Sequence, residues 1–181
     1  MTQIVYNGRY LLADRRCTYG YYTPIEAPKV FKMQIGDTNR YFAFSGSFKE
    51  CALGEEVVRS IFDSEVRAKA RSILGEDALD RFLGIVIDVT PEGKQVSLIN
   101  YAGDMCEIDR NQFVAIGAMH SEISSAWRVW ELMHENQDPA SSGSLNSLKD
   151  FVRFVTKGTE FDQNDRKLDV YDLVTGELLC V

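Results

Sequence analysis

A threonine stands directly behind the initiator methionine in MTQIVY, and a threonine in that place can do chemistry. Its hydroxyl is a weak nucleophile at neutral pH. A free α-amine on the same residue, with a reference pKa near ~8, can take the hydroxyl proton, usually through a water. A hydroxyl activated in this way can attack an electrophilic carbonyl carbon, and the activation requires that Met1 be removed from Thr2. Such an attack needs a group to hold the oxyanion. Gly46 precedes Ser47, and Ser47 with Glu50 makes an S-x-x-E capping box that opens a helix. A backbone N–H at that junction can face a developing oxyanion, helped by the positive end of the helix. Each residue also has a plainer use, Thr2 as a β-branched strand residue and Gly46 as a turn glycine.

The remaining reactive side chains imply no metal and no cofactor. His120 and His134 share a helical stretch without metal-ligand spacing, and Cys17, Cys51, Cys106 and Cys180 are scattered singly. The stretch DQNDRKLD faintly resembles a calcium loop, but Lys167 occupies the sharp-turn glycine position and Leu173 the final glutamate position. The net charge of −7 disfavours nucleic acid and anionic membranes as partners. The longest apolar runs are only a few residues, and the N-terminus lacks a basic-then-apolar leader, so a cytoplasmic protein is expected.

The elements that must position Thr2 and Gly46 are short strands and helix pairs. At 181 residues and 45% hydrophobic content, one domain spanning 1–181 is expected. Residues 2 to 6 and 9 to 16 alternate around Asn7-Gly8 and predict a hairpin. After the loop CTYGYYTPIEAP, the runs KVFKMQI and RYFAFS predict a second hairpin. A helix is predicted from about Ser47, and another from Ser64 through Leu83. The order then repeats, with LGIVIDVT and QVSLINYA around PEGK, the strand QFVAIGA, a helix carrying Ile123, Ala126, Trp127 and Trp130, and a helix from Leu145 to Val155. KLDVYDL and ELLCV close the chain as a short hairpin. Strands and helix pairs in blocks favour two packed sheets covered by helices on both outer faces.

Several motifs in this order resemble the β-type proteasome subunits and their simpler bacterial relatives, which are N-terminal-nucleophile hydrolases. The motifs are Thr2, NGRYLLADRRCT at 7–18, PKVFKM at 28–33, AFSGSFKECA at 43–52, FVAIGA at 113–118 and the DVYDLVTGE ending. No helical extension precedes the first strand, which points to the β-type. The resemblance implies an α+β fold, a four-layer αββα sandwich of two antiparallel sheets between helix layers. It places the nucleophile on Thr2, a buried aspartate on Asp14, a lysine on Lys29 and the oxyanion-hole glycine on Gly46. A lysine ammonium lowers the pKa of the hydroxyl and disfavours protonation of the amine, while an aspartate keeps that lysine placed and charged. Substrate-pocket positions fall on Cys17, Thr18, Ala27, Phe31, Phe44 and Phe48, with Ala52 beside them. Three phenylalanines there also suit an ordinary core.

The resemblance therefore implies a threonine-type hydrolase that cleaves peptide or amide bonds through an acyl-enzyme on Thr2. The alternative is a catalytically inactive assembly or binding module on the same fold. Implied partners are a peptide or protein substrate and further copies of the chain, a homo-oligomer formed through the helix carrying Trp127 and Trp130; an ATP-driven unfoldase is not readable. The chain departs from the family pattern in three places. The first hairpin is short: a two-residue Asn7-Gly8 turn sets Thr2 opposite Ala13, whereas a one-residue bulge or three-residue turn pairs Thr2 with Asp14. Gly117-Ala118-Met119 lacks the serine expected near the amine, and the late loop reads EFDQNDRKLD, with Asp162 an approximate match.

Overall fold

The computed structural model of the chain describes residues 3–19, 23–45, 83–99, 105–134, 145–157 and 167–180, and of residues 17–19, 23–25, 83, 134 and 180 the backbone alone. Thr2, Gly46, Phe48, Ala52 and Asp162, and the two helices expected between Ser47 and Leu83, lie outside the described residues.

Two five-stranded sheets carry the fold. The first runs β10-β1-β2-β11-β12, from β1 (Gln3–Tyr6), β2 (Tyr10–Asp14), β10 (Val114–Gly117), β11 (Leu168–Asp172) and β12 (Leu178–Cys180). The second runs β5-β6-β7-β8-β9, from β5 (Val30–Ile35), β6 (Thr38–Ser45), β7 (Leu83–Thr90), β8 (Gly93–Ile99) and β9 (Met105–Ile108). Among the described residues all pairings in these sheets are antiparallel. Alternation within each strand builds two cores. Ile4, Tyr6, Leu11 and Ala13 of the first sheet meet Val30, Tyr41, Ala43, Ile85, Ile87 and Val96 of the second. Val5, Leu12, Ala115 and Val170 face the other way, onto the helices α1 (His120–His134) and α2 (Leu145–Thr156).

The four-layer expectation is corrected here. Among the described residues there are two helices, and both cover the same face of the first sheet, so the layers read helix, sheet, sheet. The reason lies in α1 and α2 themselves. Ile123, Trp127, Leu148, Phe151 and Val152 put both apolar faces into the single cluster above Val5, Leu12 and Val170, which leaves neither helix for a second outer face. Two smaller departures have local causes. The stretch expected as a loop after Arg16 folds into a ribbon of β3 (Arg16–Tyr19) and β4 (Thr23–Glu26), where Pro24 is tolerated because the pair stands apart from both sheets. The polar corner before QFVAIGA contains β9, whose exposed Met105, Cys106 and Glu107 hide the alternation that would betray an edge strand.

The first hairpin decides the register at its open end. Asn7 does not sit in a two-residue turn: its side-chain oxygen accepts from the N–H of Arg9 at 3.2 Å and of Tyr10 at 2.9 Å, and Gly8 takes a φ of 91°. The connection is lengthened, Tyr6 pairs with Leu11, and Ile4 pairs with Ala13. Asp14 thereby comes opposite Gln3, so neither register weighed from the sequence is the one adopted.

The far face of the second sheet is tightly filled. The Phe31 and Phe42 rings stack at 5.4 Å and Phe42 meets Phe44 at 5.6 Å. A Cβ added at Gly84 would collide with Phe44 Cδ1 and lie 3.0 Å from Ile99 Cγ2. Gly84→Ala should therefore cost about 1–3 kcal/mol through overpacking, seen as a lower denaturation midpoint at unchanged slope. An unchanged midpoint would show that the Phe44 ring is free to move.

Candidate functional site

Asp14 ends β2 at the edge where β1 begins, and Lys29 sits just before β5 in the other sheet. The structure brings these two together across the gap between the sheets. Lys29 Nζ lies 3.1 Å from Asp14 Oδ1 and 3.0 Å from Oδ2, and it also donates to the carbonyl of Arg16. Two backbone N–H groups complete the carboxylate's shell: that of Gln3 donates to Oδ1 at 2.7 Å and that of Arg16 to Oδ2 at 3.2 Å. Asp14 is 0% exposed and Lys29 6%. A pair so far from water persists only when each charge is well supplied with partners, and here the supply comes from strand ends whose hydrogen bonds are not used by the ladder.

The geometry carries a consequence for Thr2. The N–H that Asp14 holds at 2.7 Å belongs to the peptide bond joining Thr2 to Gln3. One carboxylate thus fixes both the lysine ammonium and the backbone directly following the threonine. A cation so placed lowers the pKa of a nearby hydroxyl or amine by favouring the state with less positive charge.

The proposed pocket residues divide. Cys17 and Thr18 lie on β3, opposite Ile25 and Pro24. Ala27 is half-buried and its N–H donates to the Arg15 carbonyl at 2.8 Å. Phe31 is half-buried, whereas Phe44 is 1% exposed, packed on Phe42 and against Gly84. Phe44 is thus a core residue, and only Phe31 of this aromatic row offers surface. His120 is exposed, its Nδ1 3.0 Å from the Gly117 carbonyl. Among the described residues no three His, Cys, Asp or Glu side chains gather as metal ligands, and no described helix is long and apolar enough to cross a membrane.

A second polar cluster lies at the other end of β1. The Tyr6 hydroxyl donates to the Arg110 carbonyl, and Lys94 Nζ donates to the Gly8 carbonyl. Burial, then the charge of Asp109, raises the Tyr6 hydroxyl far above its usual range, and burial, then Arg110, lowers the Lys94 ammonium. Both groups are engaged by backbone carbonyls, so the cluster closes the sandwich rather than presenting a reactive group.

One site residue escaped the reading of the sequence. The Gln3 side chain is 1% exposed, and neither its Nε2 nor its Oε1 has a hydrogen-bond partner. The available signal was a carboxamide beside Ile4 and Val5 in a strand whose residues are all buried.

No family model matches the chain, and no curated protein matches it. Solved structures do. Anbu from Hyphomicrobium sp. strain MC1 is 13% identical with a TM-score of 0.65 over 98% of this chain and 84% of that one. Anbu, an ancestral β-subunit, from Yersinia bercovieri is 12% identical with a TM-score of 0.66 over 100% of this chain and 86% of that one. The Anbu complex from Pseudomonas aeruginosa, a helical assembly, is 12% identical with a TM-score of 0.65 over the same shares. The resemblance to the β-type proteasome subunits is corrected by these matches, because Anbu is proteasome-like but a distinct family. At such identities the likeness concerns the fold alone, and in its fold this chain is similar to the Anbu proteins.

Proposed function

We propose that this chain is an N-terminal threonine hydrolase that cleaves peptide or amide bonds once Met1 is removed. The observation that carries the reading is the buried Lys29–Asp14 pair, whose carboxylate also holds the Thr2–Gln3 peptide N–H at 2.7 Å. In this reading the Thr2 Oγ bonds to the substrate carbonyl carbon while its proton passes to the Thr2 α-amine. The Gly46 N–H steadies the oxyanion, the C–N bond breaks as the leaving amine takes the proton, and an ester on Thr2 remains. Water then attacks the ester, returning the hydroxyl and releasing the acid. Lys29 keeps a positive charge near the hydroxyl, and Asp14 keeps Lys29 in place. Cys17, Thr18, Ala27, Phe31 and Phe48 surround the substrate side chain, while Phe44 serves the core behind Phe42. The test is intact-mass measurement with a peptide vinyl sulfone. Loss of Met1 together with one adduct on Thr2 supports the hydrolase, and a processed protein that takes no adduct favours the inactive assembly or binding module.

Self-association belongs to the same reading, but not through the tryptophans. Trp127 is 6% exposed and stacks on Phe113 at 4.3 Å, and Trp130 packs on Phe151 at 5.5 Å, so both rings serve the core under α1. The face of α1 turned outward carries Val129, Leu132 and Met133, at i, i+3 and i+4 spacing, and α2 adds Phe154. The helical assembly of the Pseudomonas aeruginosa Anbu complex supports a homo-oligomer here. Sedimentation should show multiples of the 20.5 kDa chain, reduced to single chains by Leu132→Glu with Met133→Glu. A wild-type protein that sediments as one chain at micromolar concentration would overturn the association.

A further inference from the structure

We propose that the Gln3 carboxamide is a positioning residue for the α-amine of Thr2, a role that deepens the hydrolase reading and rests on it. Gln3 stands directly after Thr2, faces Gly117 across the β1–β10 ladder, and is 1% exposed. Its backbone N–H is spent on Asp14, so its side chain is not needed to hold that carboxylate. Yet both side-chain polar atoms are buried without a partner. Leaving such groups unpaired costs about 1–3 kcal/mol each, and a buried polar group is retained against that cost where a partner arrives in another state.

Processing supplies that partner. While Met1 is attached, the nitrogen of Thr2 is a peptide nitrogen with a single N–H. Removal of Met1 turns it into a primary amine, one residue from the Gln3 side chain. The amine then has extra N–H donors for Oε1, and in its neutral form a lone pair that Nε2 can meet. Oε1 accepting from the amine orients the lone pair that must receive the threonine proton. It also favours the ammonium form, which donates the stronger bond. Gln3 therefore holds the base in position and raises its pKa, in opposition to Lys29.

The test uses processed protein, threonine-labelled with 13C, with the Thr2 amine titrated by NMR in the wild type, Gln3→Met and Gln3→Glu. Gln3→Met keeps an unbranched chain of similar size and leaves no polar side-chain atom buried at this position, so it should fold. The expected result is a lower amine pKa in Gln3→Met and a higher one in Gln3→Glu, whose carboxylate binds the ammonium. The rate of vinyl sulfone labelling should fall about 10-fold or more in Gln3→Met, with its rising limb moved to lower pH. An amine pKa unmoved in both variants overturns the role of Gln3, whatever the labelling shows. Shifted amine pKa values in a protein that takes no label leave Gln3 in contact with the amine and overturn the hydrolase reading instead.

Discussion

Processed protein carrying Thr2→Ala should take up no vinyl sulfone at all, and Lys29→Met should slow labelling by on the order of 10²–10⁴-fold. The two losses have different causes. Thr2→Ala removes the atom that forms the bond, whereas Lys29→Met leaves it and removes the charge that eases loss of its proton. Lys29→Met keeps most of the stem that is now buried beside Asp14. Its carboxylate still accepts from the Gln3 and Arg16 N–H groups, so this variant should fold. Raising the pH should recover part of the Lys29→Met rate, because hydroxide can take the threonine proton unaided, and should recover none for Thr2→Ala. Full-speed labelling of Lys29→Met would remove the lysine from the chemistry. An adduct on Thr2→Ala would place the nucleophile elsewhere.

Asp14→Ala should be among the most destabilising single changes in the chain, at about 3–5 kcal/mol. It strands the Lys29 ammonium in a site with 6% exposure and releases the N–H groups of Gln3 and Arg16 from their acceptor. For a chain of this length that is a fall in melting temperature of about 10 °C. The double variant Asp14→Leu with Lys29→Met should recover much of the loss, because a buried ion pair replaced by apolar groups of similar volume is often neutral or better. That recovery separates two reasons for the pair. A double variant as stable as the wild type but blind to the vinyl sulfone would mean the charges serve chemistry rather than folding. A double variant as unstable as Asp14→Ala would mean they hold the sheets together.

Much of the molecule could be read from residue order alone. Strand positions follow from the short runs IVY, YLLAD, VFKMQI, FAFS and GIVID, rich in β-branched and aromatic residues and bounded by turn signals. Several of them are apolar throughout because both faces of the strand are buried. The helices α1 and α2 follow in the same way from Ile123, Trp127, Leu148, Phe151 and Val152 at helical spacing. Candidate chemistry was legible too: a threonine behind Met1, an aspartate on the next strand and a lysine opening a later one are statements about order.

Contacts across the fold were decided elsewhere. Whether Asp14 faces Thr2 or Gln3 depends on the Asn7 side chain capturing the N–H groups of Arg9 and Tyr10, a hydrogen-bond choice to which an Asn-Gly pair does not commit. Which sheet face the helices cover is likewise invisible locally, since an apolar stripe says that a helix packs but not on what. That is why two sheets could be expected while the arrangement of layers could not. The helix carrying Trp127 and Trp130 was expected to be an association surface, but helical periodicity marks a face without saying which way it turns, and Phe113 and Phe151 hold the tryptophans inward. Lys29 comes within 3.0 Å of Asp14 only because β5 of one sheet passes the end of β2 in the other. Strand and helix periods are properties of neighbouring residues, but a charge pair between sheets is a property of how the sheets pack, and only the tertiary structure contains it.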